Sequence, residues 1–246
     1  MNRLLMICCS KGRPHRIPEM INSYETTKQG NTDIIFCLNP YDDKLKDYDS
    51  ILNGRVVIHR NPNYYTPTAN EVALSLSPGY DYYGLVDDDY IFRTAGWDVE
   101  LTKTVNEKGN GWGIAYCNDL WPDSSVLFRH PSVPIVSAKI IKTIGYMILP
   151  TLNHFKIDTF MRDLTEPLSL LFFREDIVIE HMHLHNGKAP TDASYQWSYC
   201  PEEWHHGEKH YKYWVNMQKD NDHKKIIAAM NKEGIEVIKK DIINNE

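Results

Sequence analysis

Tyr82-Tyr83-Gly84-Leu85-Val86-Asp87-Asp88-Asp89 runs from a short apolar segment directly into three consecutive carboxylates. An apolar run of this length reads as a strand buried on both faces, the kind found in parallel sheets covered by helices. In open α/β sheets the chemistry collects beyond the carboxyl ends of such strands, so the acids stand on a rigid platform. Adjacent carboxylates repel one another unless a cation offsets them. Hard ions such as Mg²⁺ and Mn²⁺ suit this donor set, because they bind one or two carboxylates and complete their shell with phosphate oxygens. A solvated acidic loop is the competing reading of the same residues.

Working outward, the first half alternates short apolar runs with helical patterns. Arg3–Cys9 reads as a strand, Asp33–Leu38 as a second closed by Asn39-Pro40, and Arg55–His59 as a third. Ile17–Thr27 reads as a helix carrying Ile17, Met20, Ile21 and Tyr24 on one face. Asn70–Leu76 reads as another, ending near Ser77-Pro78-Gly79. In the second half, Gly113–Cys117 and Ser132–Ser137 read as strands, and Ile140–Tyr146 and Ile157–Leu164 as helices. Leu170–Phe173 and Ile177–His183 read as a strand pair. From about Glu202 the chain is polar and helical with nearly cancelling charges, which predicts a packed appendage over 201–246 on a main domain spanning 1–200.

Composition narrows the function. With 42% hydrophobic and 24% charged residues, the 246-residue chain reads as globular, which excludes disorder, collagen and coiled coil. A net charge of −6 argues against a protein held to nucleic acid by bulk charge. The apolar Leu4–Cys9 meets Ser10-Lys11-Gly12-Arg13 with no small-residue cleavage site, so it reads as a first strand and not as a signal peptide. No run approaches the ~18 apolar residues that cross a bilayer, and the expected location is the cytoplasm. Five cysteines without CxxC spacing suit reduced thiols, with neither a disulfide frame nor a structural zinc site.

Two further stretches carry chemistry. Glu180-His181-Met182-His183-Leu184-His185 places three histidines at period two beside an acid, a pattern for a metal or phosphate site if the strand continues that far. Ser10-Lys11-Gly12-Arg13-Pro14-His15-Arg16 follows the first strand, where loops hold phosphates with amides and basic side chains, although neither GxxxxGK[ST] nor GxGxxG is present. Asn186-Gly187-Lys188-Ala189-Pro190 reads as a turn or as a lid that closes a lysine onto phosphates. No GxSxG elbow appears, and no Cys/His pair stands out as a nucleophile.

In this order along residues 3–195, the motifs resemble a GT-A-fold glycosyltransferase, family 2-like, of the bacterial and phage type. The resemblance rests on Ser10–Pro14, Asn70-Glu71-Val72-Ala73, the acidic cluster with Arg93–Asp98, and Tyr116–Leu120. It continues through Gly145-Tyr146-Met147, Pro150, His154 and Asp158 to Glu180–His183 and Gly187-Lys188-Ala189. It implies an α/β fold with a Rossmann-like mixed sheet flanked by helices. It places Ser10, Lys11, Arg13 and Asn70 in the nucleotide pocket, and Asn39 stands where related enzymes often carry an aspartate that contacts the base. Asp88 falls near the ribose, Asp89 and His181 on a Mn²⁺ or Mg²⁺ ion with His183 beside them, and Lys188 on the diphosphate. Asp87 falls where similar sequences often have glycine. Asn118, Asp119 and His154 face donor sugar or acceptor.

Physical logic then selects Asp158, at a helix start, as the base that deprotonates an acceptor hydroxyl, against the alternative of a helix-capping carboxylate. The expectation is a metal-dependent transferase using a nucleotide-diphosphate sugar, most simply UDP-linked, and inverting if Asp158 is the base. Its acceptor is modified DNA, a glycan, a protein or a small molecule, with a hydroxymethylated base in phage DNA among the candidates. A nucleotidyltransferase and a non-catalytic nucleotide-sugar-binding module are the alternatives.

Overall fold

The computed structural model describes residues 2–52, 54, 56–58, 65–76, 79–123 and 130–238. Its strands are β1 (Arg3–Ser10), β2 (Asn31–Leu38), β3 (Val56–Ile58), β4 (Tyr82–Asp87), β5 (Tyr90–Phe92), β6 (Ile114–Asn118), β7 (Ile135–Ser137) and β8 (Leu171–His181). The helices are α1 (Ile17–Thr27), α2 (Leu45–Leu52), α3 (Tyr65–Glu71), α4 (Trp97–Gly109), α5 (Ala138–Ile144), α6 (Ile157–Thr165), α7 (Ala193–Ser198), α8 (Pro201–Met217) and α9 (Lys219–Lys232). Helix α3 runs on into π-helical turns over Val72–Leu76. Of the expected third strand, Arg55 and His59 lie outside the described residues, as do Ser77 and Pro78 after the helix.

The strands form one eight-stranded sheet in the order β3-β2-β1-β4-β7-β6-β8-β5. Period-two alternation sorts β1 between its faces. Leu4, Met6 and Cys8 enter a core with α1, α2 and α4, whereas Leu5 and Ile7 enter a second core with α3, α5, α6, α8 and α9. Gly84 in β4 is imposed by this packing, because a Cβ there would lie 2.2 Å from Met6 Sδ. Trp214, Ile226 and Met230 of α8 and α9 belong to the same core as Leu5, Tyr83 and Ile114 of the sheet. Among the described residues no helix is long and apolar enough to cross a membrane.

The sheet is mixed, as the resemblance implies, because β7 runs antiparallel to both β4 and β6. Two readings change. The expected strand pair near residues 170–183 is the single strand β8, whose exposed Glu175 and Asp176 resemble a turn in sequence. Its first part pairs with β6 in parallel, and after a register shift its last part pairs antiparallel with β5. The short β5 has no sequence signal of its own, yet it positions the site by setting Tyr90 opposite His181. Finally, β8 stops at His181, so His183 and His185 do not continue its face; His183 caps a 3-10 turn over Leu184–Asn186.

Candidate active site

The chain leaves β4 at Asp87 and turns through Asp88 and Asp89 into β5, so the acids are held between two strands. Asp88 and Asp89 are each only 4% exposed. A relay fixes the first of them. The Arg13 amide donates to Tyr48 Oη at 2.8 Å, Tyr48 lies 2.9 Å from Ser10 Oγ, and Ser10 donates to Asp88 Oδ2 at 2.5 Å. Arg13 Nη1 then reaches Asp88 Oδ1 at 3.1 Å.

Asp89 faces the other way. Its Oδ2 accepts from Tyr195 Oη at 2.7 Å and lies 3.7 Å from Arg13 and 3.6 Å from Arg16. Its Oδ1 is buried with no hydrogen-bond partner, and His181 Nε2 stands 3.3 Å from it. Tyr90 stacks on His181 at 4.1 Å, and its hydroxyl lies 3.0 Å from His181 Nδ1. An ion bound here would take the Nε2 lone pair, with the ring proton turned to Tyr90. Two octahedral ligand atoms at about 2.1 Å from an ion sit about 3 Å apart, so this orphaned pair fits a divalent cation. Among the described residues no group of three or more His, Cys, Asp and Glu side chains converges on one point. An ion held here therefore takes its remaining ligands from water or a bound phosphate.

Electrostatics agree. Burial and the neighbouring Asp89 push Asp87 up to about 7. Burial also raises Asp88, with Arg13 and Ser10 opposing it. Burial would raise Asp89 as well, but the contacts of His181 and Tyr195 hold it well below the usual carboxylate range. The cluster thus keeps one firmly ionised acid beside His181 and two neighbours whose ionisation a cation would favour.

Two cavities meet at this cluster. The larger, about 670 Å³, is lined by Ser10, Lys11, Arg13, Asn39, Asp88, Tyr195 and Trp197 among others. The smaller, about 360 Å³, is lined by Asp119, Trp121, His130, Lys156 and Asp158. Asp87, His154 and His181 border both. Burial holds His154 below its usual pKa, so it enters both cavities as a neutral imidazole at neutral pH.

Several expected residues lie elsewhere. Asn70 is buried, accepts from the Met147 and Ile148 amides and donates to the Ile148 carbonyl at 2.8 Å, so it ties α3 to a turn and lines neither cavity. Its polar atoms are consumed by backbone groups that burial would otherwise leave unpaired. Lys188 pairs with Glu180 at 2.7 Å, a carboxylate also bound by Arg93, and it too lines neither cavity. Asn118 accepts from the Leu120 amide in a turn that sets Asp119, and is not a cavity residue itself. His183 has both ring nitrogens engaged: Nδ1 accepts from the His185 amide and Nε2 lies 3.2 Å from Tyr199 Oη. Burial pushes its pKa down to about 4, so it is neutral and has no nitrogen to offer an ion. Asp158 does not hold the cap position, which Lys156 takes, yet its Oδ1 accepts from the Thr159 amide in the first turn as a helix-start carboxylate would.

Sequence reasoning passed over Asp192, Tyr195, Tyr90 and His130. Asp192 binds Arg13 through two 2.8 Å contacts and caps α7 through the Tyr195 amide. Arg13 stacks on the Tyr195 ring at 4.2 Å. Asp192 lies 179 residues from Arg13 and Tyr195 lies 106 from Asp89, so no local pattern links them.

Neither a protein-family model nor a curated protein matches the sequence. Solved structures do match. A mannosyltransferase from Pyrobaculum calidifontis in complex with GDP-Man and Mn²⁺ superposes with a TM-score of 0.61 at 9% identity, over 94% of this chain and 75% of that one. S. aureus TarS 1–349 in complex with UDP gives 0.56 at 10% identity, over 95% and 72%. Glucosyl-3-phosphoglycerate synthase from Mycobacterium tuberculosis with Mn²⁺, UDP-Glc and phosphoglyceric acid gives 0.53 at 12% identity, over 85% and 79%. A mixed sheet with β7 reversed at its centre, together with these likenesses across nearly the whole chain, gives this protein the GT-A glycosyltransferase fold.

Proposed function

We propose that the chain is a divalent-metal-dependent glycosyltransferase that moves a sugar from a nucleotide-diphosphate sugar to an acceptor hydroxyl. The observation that carries this reading is the orphaned Asp89 Oδ1 facing His181 Nε2 at 3.3 Å on the wall of the larger cavity, with Arg13 at 3.7 Å and Arg16 at 3.6 Å from the other oxygen of Asp89. A buried carboxylate oxygen without a donor calls for a partner, and a cation supplies one. The larger cavity takes the nucleotide, with Asn39 toward the base and Asp88, held by Ser10, toward the ribose. Arg13 and Arg16 face the diphosphate as charge-assisted donors. Mn²⁺ or Mg²⁺ bound by Asp89 and His181 supplies Lewis-acid stabilisation of the departing diphosphate.

The smaller cavity takes the acceptor, with the transferred sugar lying near Asp87, Asp119 and His154 at the junction. Asp87, Asp119 and Asp158 line it. Such a carboxylate-rich wall favours a neutral hydroxylated acceptor over a phosphate backbone. Asp158 belongs to the group that removes the acceptor proton, which fits an inverting displacement.

The test is calorimetry of UDP and GDP with Mn²⁺. Asp89→Ala and His181→Ala should each abolish Mn²⁺-dependent nucleotide binding while their circular dichroism stays that of the parent. Both variants binding like the parent would sink the metal assignment. Incubation with nucleotide sugars should release nucleoside diphosphate; release of monophosphate would favour a nucleotidyltransferase, and binding without turnover a sugar-nucleotide-binding module. Acceptor screening should include glycans, small polyols and hydroxymethylated DNA.

A further inference from the structure

We propose that His130, held by Asp158, takes the proton from the attacking hydroxyl, and that Asp158 is its positioning residue. The inference rests on the donor site described above and deepens it. His130 Nδ1 lies 2.6 Å from Asp158 Oδ2, a close ion-pair contact in which the ring N–H is not aligned for a hydrogen bond. The other oxygen of Asp158 accepts from the Thr159 amide at 2.7 Å, with Thr159 Oγ1 also near at 3.4 Å. Both carboxylate oxygens therefore have partners before any acceptor arrives. Both side chains line the smaller cavity, across which lie Asp87 and His181. With Nδ1 turned to Asp158, Nε2 is the ring atom left to meet a hydroxyl.

A carboxylate at this distance stabilises the imidazolium once the proton is taken. The backbone on either side is anchored. Pro131 and Val133 are buried after His130, and Thr159 and Phe160 are buried after Asp158. Burial would raise Asp158, but His130 and the Thr159 amide hold it below its usual range, which makes the carboxylate a poor proton acceptor at neutral pH. The other charged or titratable groups on this cavity are Asp87, Asp119, Tyr90, His154, His181 and Lys156, and Lys156 pairs with Glu208 at 3.0 Å.

The step balances within the site. As the acceptor oxygen bonds to the anomeric carbon, its O–H proton passes to His130 Nε2. The electron pair of the breaking carbon–oxygen bond leaves with the nucleoside diphosphate. His130 is a third exposed, so the proton can pass to solvent after product departs.

The experiment measures hydrolysis of UDP-glucose, UDP-N-acetylglucosamine and GDP-mannose with Mn²⁺, water serving as the acceptor, alongside UDP and GDP titrations. His130→Gln should lower turnover at saturating donor by ~10²-fold or more with nucleotide affinity unchanged, and should remove the acidic limb of the kcat–pH profile. Free imidazole should restore part of the activity of His130→Ala, which a merely structural histidine would not allow. Asp158→Asn should lower turnover less than His130→Gln does and shift the acidic limb to lower pH. If His130→Gln turns over like the parent while Asp158→Asn is dead, the carboxylate is the base and the assignment of His130 is overturned. A parent that binds no nucleoside diphosphate with Mn²⁺ overturns the donor reading itself, a failure that the titration separates from that of the base.

Discussion

Arg13 shows how strongly single residues are committed at this site. Its guanidinium meets Asp88 at 3.1 Å and Asp192 through two contacts of 2.8 Å, and it stacks on Tyr195. A diphosphate drawn to Arg13 competes with Asp192 for the same donors. Asp192→Asn removes the competing charge but keeps the cap on α7, because asparagine caps a helix about as well as aspartate. We expect UDP·Mn²⁺ to bind this variant about 3–10-fold more tightly, the scale of ~1 kcal/mol for a partly exposed ion pair. Calorimetry checks it, and weaker binding would mean that Asp192 holds Arg13 in place for the phosphates. Legibility at this scale was uneven. Asp88 and Asp89 announce themselves because carboxylates in series after an apolar strand are electrostatically costly. His181 was found through a pattern whose geometry differs, since β8 ends at that residue. His130 carries no local signal, because its partner lies in a different helix and no spacing rule joins them. Asn70 and Lys188 show the reverse: polar residues at plausible motif positions whose hydrogen-bonding capacity is consumed by packing.

At the scale of elements, the segment after β8 reaches the larger cavity. Gly187 ends the 3-10 turn in the left-handed region, at φ 73°, and the chain then travels to Asp192 and α7. There Ser194 donates to the Lys11 carbonyl at 3.0 Å and Tyr195 to Asp89 at 2.7 Å. Few apolar contacts anchor this stretch: Tyr195 is its one fully buried side chain between residues 186 and 198, and α7 is six residues long. Short polar segments of this kind open at little cost. Amide exchange over residues 186–199 should therefore be fast in the protein alone and slow by at least tenfold with UDP and Mn²⁺. Equal protection in both conditions would remove the lid reading. The sequence carries the glycine and lysine of this loop but misassigns the working residues. Lys188 is tied to Glu180, and the contacts to the acids and Arg13 come from Asp192 and Tyr195. Strands β1, β2 and β4 were legible because both faces are apolar. The three-residue β5 was not read, because its pairing depends on a partner far along the chain, whereas β7 lies within the expected Ser132–Ser137 strand and only its antiparallel direction had no local signal.

For the whole molecule, the question is whether the helices beyond residue 200 are an attachment or part of the fold. The sequence shows a polar, charge-balanced stretch with a few aromatic residues, and its amphipathic spacing predicts packing without saying against what. In the structure Trp214 is fully buried on the same core as the sheet, and its Nε1 donates to Asp222 Oδ2 at 2.9 Å. Tyr146, on the turn after α5, donates to that same oxygen. One carboxylate, 3% exposed, thus satisfies the buried Trp214 of α8 and the half-buried Tyr146 of the main body. Removing it by Asp222→Ala leaves both donors unpaired, at about 1–3 kcal/mol each by the usual cost of a buried orphan. Because the two share a site, the penalties need not add, and a total of roughly 2–4 kcal/mol is expected. For a chain of this size that lowers the melting temperature by on the order of 5–12 °C. Asp220→Ala, two residues away and exposed, should change little. Differential scanning calorimetry of the two variants decides the matter through the shape of the transition as well as its position. A single cooperative transition that moves down for Asp222→Ala makes these helices part of one folding unit with the sheet. An early, separate transition in that variant, with UDP·Mn²⁺ binding intact after it, would make them an independently melting appendage.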